Sequence, residues 1–247
     1  MKNPSFPRSD IATFERMMYS MRHASSRILC GKATKYPSMK RLLAIGLFAL
    51  ALAGCSPASL PQGDVYYQED FSNPASGWDR AAGADGVTDY AGGMYRIFSA
   101  TPDYYMWATA HRNFPEDVRI EVDVTKKAGA DQDVFGVLCR YRDDKNFYIL
   151  MISGDGQAGI AKRSTGSDLA MLSGKSMKTD PGIHPGLASN HLRAVCVGDK
   201  LSLFVNDTLV ASATDGEFTG GDAGLWLGTY DQPGTDLYFD DFVVRKP

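Results

Sequence analysis

The sequence predicts an all-β protein of one domain, an antiparallel sandwich or barrel. Three observations predict it. Short runs rich in Val, Ile, Leu, Tyr and Phe recur along residues 66–247, closed by turn signals such as Gly92-Gly93, Gly198-Asp199-Lys200 and Asn206-Asp207. Two runs alternate cleanly: Val118, Ile120, Val122 and Val124 against Arg119, Glu121 and Asp123, and Leu201, Leu203 and Val205 against Ser202, Phe204 and Asn206. No stretch of this region holds a 3.6-residue apolar period over three turns.

The elements follow in order. Residues 1–38 show no clear period and read as a mis-assigned start ahead of Met39, or as an extended basic n-region. Met39-Lys40-Arg41 is basic, and the apolar stretch Leu42–Ala53 after it is too short for a spanning helix, which needs about 20 residues. It ends on Leu52-Ala53-Gly54-Cys55, which resembles the lipobox of bacterial lipoproteins. That resemblance implies a signal peptide over 39–54, and acylation of Cys55 with fatty chains of the palmitate kind. It also implies a protein held on the cell envelope outside the cytoplasm, at the outer membrane where there are two. Residues 55–65 are then the lipidated cysteine and a Pro/Ser tether, and 66–247 the domain.

Removal of residues 1–54 takes away nine of the 26 basic residues and two of the 29 acidic ones. The remaining 193 residues carry 17 basic and 27 acidic side chains, a net charge of −10. Such a domain has no electrostatic footprint for nucleic acid or anionic lipid, so its membrane partner is reached through the N-terminal acyl chains. Cys139 and Cys196 are the cysteines left besides Cys55. In an oxidising compartment an even pair reads as a disulfide, or as two small buried thiols.

Strands are expected at Met94–Ser99, Tyr104–His111, Val118–Thr125, Val134–Tyr141, Phe147–Ile152 and Gly159–Arg163. Five more are expected at His191–Val197, Leu201–Val205, Leu209–Ala213, Gly224–Thr229 and Leu237–Val244. Thr165–Ser189, rich in Gly, Ser, Lys and Pro, is the longest loop and could rim a site.

The run Phe135–Tyr148, with Gly136, Cys139-Arg140-Tyr141 and Asn146-Phe147-Tyr148, resembles a hairpin of exported bacterial concanavalin A-like (laminin G-like) jelly-roll domains. Asn190–Leu201, Gly224-Leu225, Gly228–Gly234 and Phe239–Phe242 are similar to later parts of that pattern. The resemblance implies a jelly-roll sandwich and a bridge between Cys139 and Cys196. It also implies a sheet face that meets carbohydrate, in a superfamily that includes lectin-like modules, glycoside hydrolases and 3-keto-disaccharide hydrolase-like domains. Its motifs are mostly structural and specify fold better than function. A structural calcium, held in such domains by a carboxylate of the last strand and carbonyls near the first, would fall on Asp241, Gly92 and Glu69.

For the chemistry, the family 16 glycosidase motif E-x-D-x-x-E has its nearest match at Glu121-Val122-Asp123-Val124-Thr125-Lys126, where Lys126 replaces the third carboxylate. Alternation makes it a solvated strand face. His111, His184 and His191 fall in no nucleophile or metal spacing. No catalytic residue is therefore assigned. Sugar binding needs rings with polar neighbours. Tyr105 and Trp107, on one strand face with Thr109 and His111, are the leading ligand-binding candidates together with Tyr230; Tyr141, Tyr148 and Trp226 follow, with Trp226 favoured as core and Trp78 as loop packing. The expected function is a non-catalytic binding module for carbohydrate. The alternatives are a glycoside or 3-keto-disaccharide hydrolase, and an envelope scaffold that binds protein.

Overall fold

A computed structural model describes residues 63–247; Cys55 and the expected signal lie outside the described residues. The described chain is built from strands throughout: β1 (Val65–Glu69), β2 (Ala81–Gly83), β3 (Gly86–Ala91), β4 (Met94–Ser99), β5 (Tyr105–Thr109), β6 (Val118–Ala128), β7 (Val134–Asp143) and β8 (Asn146–Ser153). They continue with β9 (Gln157–Arg163), β10 (Ala170–Met171), β11 (Lys178–Thr179), β12 (Ser189–Val197), β13 (Lys200–Val205), β14 (Thr208–Thr214), β15 (Asp222–Gly228) and β16 (Thr235–Arg245). All eleven expected strands are present. The five others are β1, β2, β3, β10 and β11, which are short or polar and so carry little pattern of their own. The last two lie in the expected long loop and pair with β9.

Two antiparallel sheets result. One runs β14-β13-β12-β6-β16-β4-β3-β2, with β1 also on β16; the other runs β10-β9-β8-β7-β15-β5, with β11 on β9. The chain crosses between sheets at β4–β5, β5–β6, β6–β7, β11–β12, β14–β15 and β15–β16, which is the jelly-roll manner of closing a sandwich. Strand alternation sends Ile120, Val122 and Val124 inward with Leu192, Ala194, Leu201, Leu203 and Val205. From the other sheet come Phe135, Val137, Leu150, Ile152, Leu225 and Leu227. Trp78 is not loop packing: its ring stands edge-on to Phe242 at 4.9 Å inside this core, and its indole N–H donates to the Tyr67 hydroxyl at 3.0 Å.

Cys139 on β7 and Cys196 on β12 are joined in a disulfide that ties one sheet to the other across the core. The expectation from the resemblance holds. The bridge spans 57 residues, and closing a loop of that length in the unfolded chain is worth about 4 kcal/mol on chain-entropy grounds. Replacing both cysteines by Ala should therefore lower the urea midpoint by an amount equivalent to about 4 kcal/mol. An unchanged midpoint would show that the bridge contributes nothing to stability.

Candidate carbohydrate-binding cleft

The seven-stranded sheet is apolar on both faces. Its outward face carries Tyr105 and Trp107 of β5, Trp226 of β15, Val134 and Leu138 of β7, Phe147, Ile149 and Met151 of β8, and Ala161 of β9, with Tyr230 joining from beyond β15. Trp226 lies between Trp107 and Gly136 in the register. Its ring stacks on Tyr105, with centroids 5.4 Å apart and planes at 26°. Gly228 permits this, because a Cβ there would sit 2.5 Å from the indole. Trp226 is thus buried, as expected, but in the outer layer rather than between the sheets. Tyr105, Trp107 and Tyr230 are each at most 7% exposed, so these rings cover the sheet rather than stand free in solvent.

The cover stops at one end. There a cleft of about 760 Å³ opens, and Trp107, Thr109 and His111 of the expected strand face line it, together with Tyr141. Tyr105 and Tyr230 do not line it. Tyr148, the remaining aromatic candidate, points into the core and donates its hydroxyl to Asp215 at 2.6 Å. Tyr141 is the half-buried ring of the cleft. It stacks on Phe147 at 5.8 Å and accepts a hydrogen bond from Trp107, while burial raises its phenol pKa.

Two carboxylates gather at Thr109. Its backbone N–H donates to Asp79 Oδ2 at 3.0 Å, and its hydroxyl reaches the same oxygen at 3.4 Å and also bonds Asp222. His111 Nε2 lies 2.9 Å from Asp79 Oδ1, on a backbone held at φ 52°, a conformation rare for a side-chain-bearing residue. Asp79 is placed from the core, since Trp78 is buried beside it and the Tyr95 hydroxyl donates to the Asp79 carbonyl. Asp222 receives the Ala223 N–H at 2.8 Å and the Arg112 N–H. Burial nevertheless pushes its carboxyl above the usual range, outweighing those hydrogen bonds and the nearby His111.

The walls are set by Arg140. At Cys139–Tyr141, β7 bulges: Leu138 pairs with Gly224 and Tyr141 with Asp222, so an extra residue fits opposite β15. Arg140, at φ 53°, occupies the bulge with its side chain buried. Its guanidinium donates to the Glu116 carbonyl at 3.2 and 3.0 Å and to the Phe218 carbonyl at 2.9 Å. One buried side chain so fixes the loops on both sides of the cleft.

The other sequence candidates lie elsewhere. Glu121 and Asp123 are on the outer face of the nine-stranded sheet. Glu121 pairs with Arg119 at 2.8 Å and lies 3.6 Å from Arg245, while Asp123 pairs with His191 at 2.7 Å. Lys126 is buried and bonds Asp131 at 2.7 Å. The register brings Glu69, Asp241 and the Gly92-Gly93 turn to one region, where β16 changes its neighbour from β4 to β1. The Glu69 carboxylate is taken up by the Phe71 N–H at 2.9 Å and the Tyr67 hydroxyl at 3.1 Å. Among the described residues no group of three or more His, Cys, Asp or Glu side chains is placed to hold a metal.

No family model matches the chain, and no curated protein matches it in sequence. Solved structures do resemble it. A protein of unknown function with a galectin-like fold from Bacillus subtilis superposes with a TM-score of 0.57 at 12% identity, over 75% of this chain and 97% of that one. A β-glucanase from Bacillus licheniformis gives 0.52 at 12% identity, over 75% and 99%. The GH43 protein BlXynB from the same species gives 0.55 at 13% identity, over 73% of this chain but 39% of that one. The fold is a concanavalin A-like jelly roll.

The Asp222 shift has a stability consequence with a definite sign. A carboxyl whose folded pKa is raised favours the folded state most when protonated, and that contribution is lost as pH rises through the raised value. Asp222→Asn should therefore gain melting temperature relative to the parent at neutral pH. The gain should shrink as pH falls into the ordinary carboxylate range. A pH-independent difference in thermal scans would remove burial of that charge as its cause.

Proposed function

We propose that this protein is a lipid-anchored envelope module that binds carbohydrate in the cleft around Thr109, without catalysis. One observation carries the reading: Trp107 and Tyr141 meet Asp79 and Asp222 in a single open cleft at the end of an otherwise covered sheet face. A pyranose places its C–H face on a ring and its hydroxyls on acceptors, and this arrangement supplies both. A β-glucanase shares the fold, which lends the reading support at the level of architecture. Tyr141 is the stacking ring, with Trp107 holding it from below.

The absence of catalysis is inferred from the one glycosidase-like motif. Glu121 and Asp123 are ion-paired on the opposite sheet, away from the cleft. Anchoring is inferred from the Leu52–Cys55 signal and its basic, apolar lead.

A soluble domain over 62–247 should retain glycans on an array, and Tyr141→Ala should weaken the best hit about tenfold. Trp107→Ala should weaken it as well. An array without hits would remove carbohydrate as the ligand class. Release of reducing sugar from a bound polymer, abolished by Asp222→Asn, would replace binding by hydrolysis. In cells, Cys55→Ser should move the protein from the membrane fraction to the soluble one; unchanged fractionation would remove the lipid anchor.

A further inference from the structure

The cleft has a chemical polarity from floor to rim. Asp79, Thr109 and Asp222 form its floor, close to the buried Trp107 ring. Arg112 and Arg142 are exposed at the rim, with Glu116. Arg142 donates to Thr219 at 3.2 Å and lies 5.3 Å from the Phe218 ring centroid, and Arg112 lies 5.4 Å from that of Tyr67, so both cations are engaged by groups other than Asp79 and Asp222. Of the remaining titratable groups of the lining, His111 is turned onto Asp79, and the Tyr141 phenol accepts a hydrogen bond from Trp107.

Ionised carboxylates only accept hydrogen bonds. A ligand that reaches the floor must therefore bring donors. We propose that the cleft selects a sugar whose buried end presents hydroxyl or ammonium donors to Asp79 and Asp222, and excludes one that presents a carboxylate there. The proposal deepens the carbohydrate-binding reading and rests on it. A uronate at this depth sets a third negative charge against two, in a place where Asp222 already resists ionisation through burial. The domain's acidic balance acts in the same direction at long range.

The test uses the soluble domain and three defined probes: neutral hexose oligosaccharides of several linkages, oligogalacturonate, and chitosan oligomers. Calorimetric titration should find binding to a neutral oligosaccharide or to chitosan, and at least tenfold weaker binding of oligogalacturonate. Asp79→Asn and Asp222→Asn should each narrow that ratio about tenfold, since each removes one repelling charge and one charged acceptor. Melting curves establish that the variants are folded, and the three-probe comparison in the parent protein stands without them. Oligogalacturonate bound as tightly as the best neutral or amino probe overturns the proposal and leaves carbohydrate binding in place. Failure of all three probes overturns both.

Discussion

The seven-stranded sheet has to hide both of its faces. Its central strands carry apolar side chains at nearly every position, so packing against the second sheet buries only half of them. The other half is covered by its own rings laid flat, Trp226 on Tyr105 above Gly228, and by Met171, Met177 and Leu169 brought in from the segment after β9. Burial of this order is worth roughly 1.5–3 kcal/mol for each large side chain, which makes the outer layer a second core rather than a decorated surface. Where that layer ends, a cleft begins. The position of the site is a boundary effect of packing.

At that boundary the polar groups are held by neighbours that do not themselves line the cleft. Arg140 joins the carbonyls of Glu116 and Phe218 from inside a bulge, and Tyr95 fixes the Asp79 main chain from the core. Lys162, set between Asp215 at 2.5 Å and Glu217 at 2.7 Å, braces the segment that leads to Phe218 and Thr219. The floor can then keep an uncomfortable carboxylate at Asp222, because its surroundings are too well tied to collapse around it or to let it turn away. Strain of that sort, carried by a firm scaffold, is common where a protein meets a ligand.

Much of the architecture was legible as alternation and turns. Val118–Val124 and Leu201–Val205 showed which face is buried, and the turn residues marked the longer strands. Alternation could not show which of two apolar faces points between the sheets, so it did not show that Tyr105, Trp107 and Tyr230 are packed into an outer apolar layer. β1 and β3 went unread because their residues are mixed in polarity. β10 and β11 went unread because two residues have no period. Asp79 and Asp222 carried no signal in sequence. Asp222 follows Gly220-Gly221 and looks like part of a turn, and Asp79 is one aspartate after a tryptophan. Only pairing of β15 with β5 brings Asp222 toward Thr109.

The pairing of β1 with β16 reaches beyond the sandwich. The Lys246 N–H donates to the Asp64 carbonyl at 2.9 Å, so the chain enters and leaves the domain at one point. Three residues further on, the Tyr67 ring meets Phe114 at 6.2 Å and carries Arg112 above it, and both of those residues line the cleft. The mouth of the cleft is thus near the point where the chain enters the domain. Residues 55–62 can stretch over at most about 28 Å. Were Cys55 acylated as proposed, the cleft would work within a thin shell above the lipid headgroups, and a polymer would have to come down to the membrane to be held.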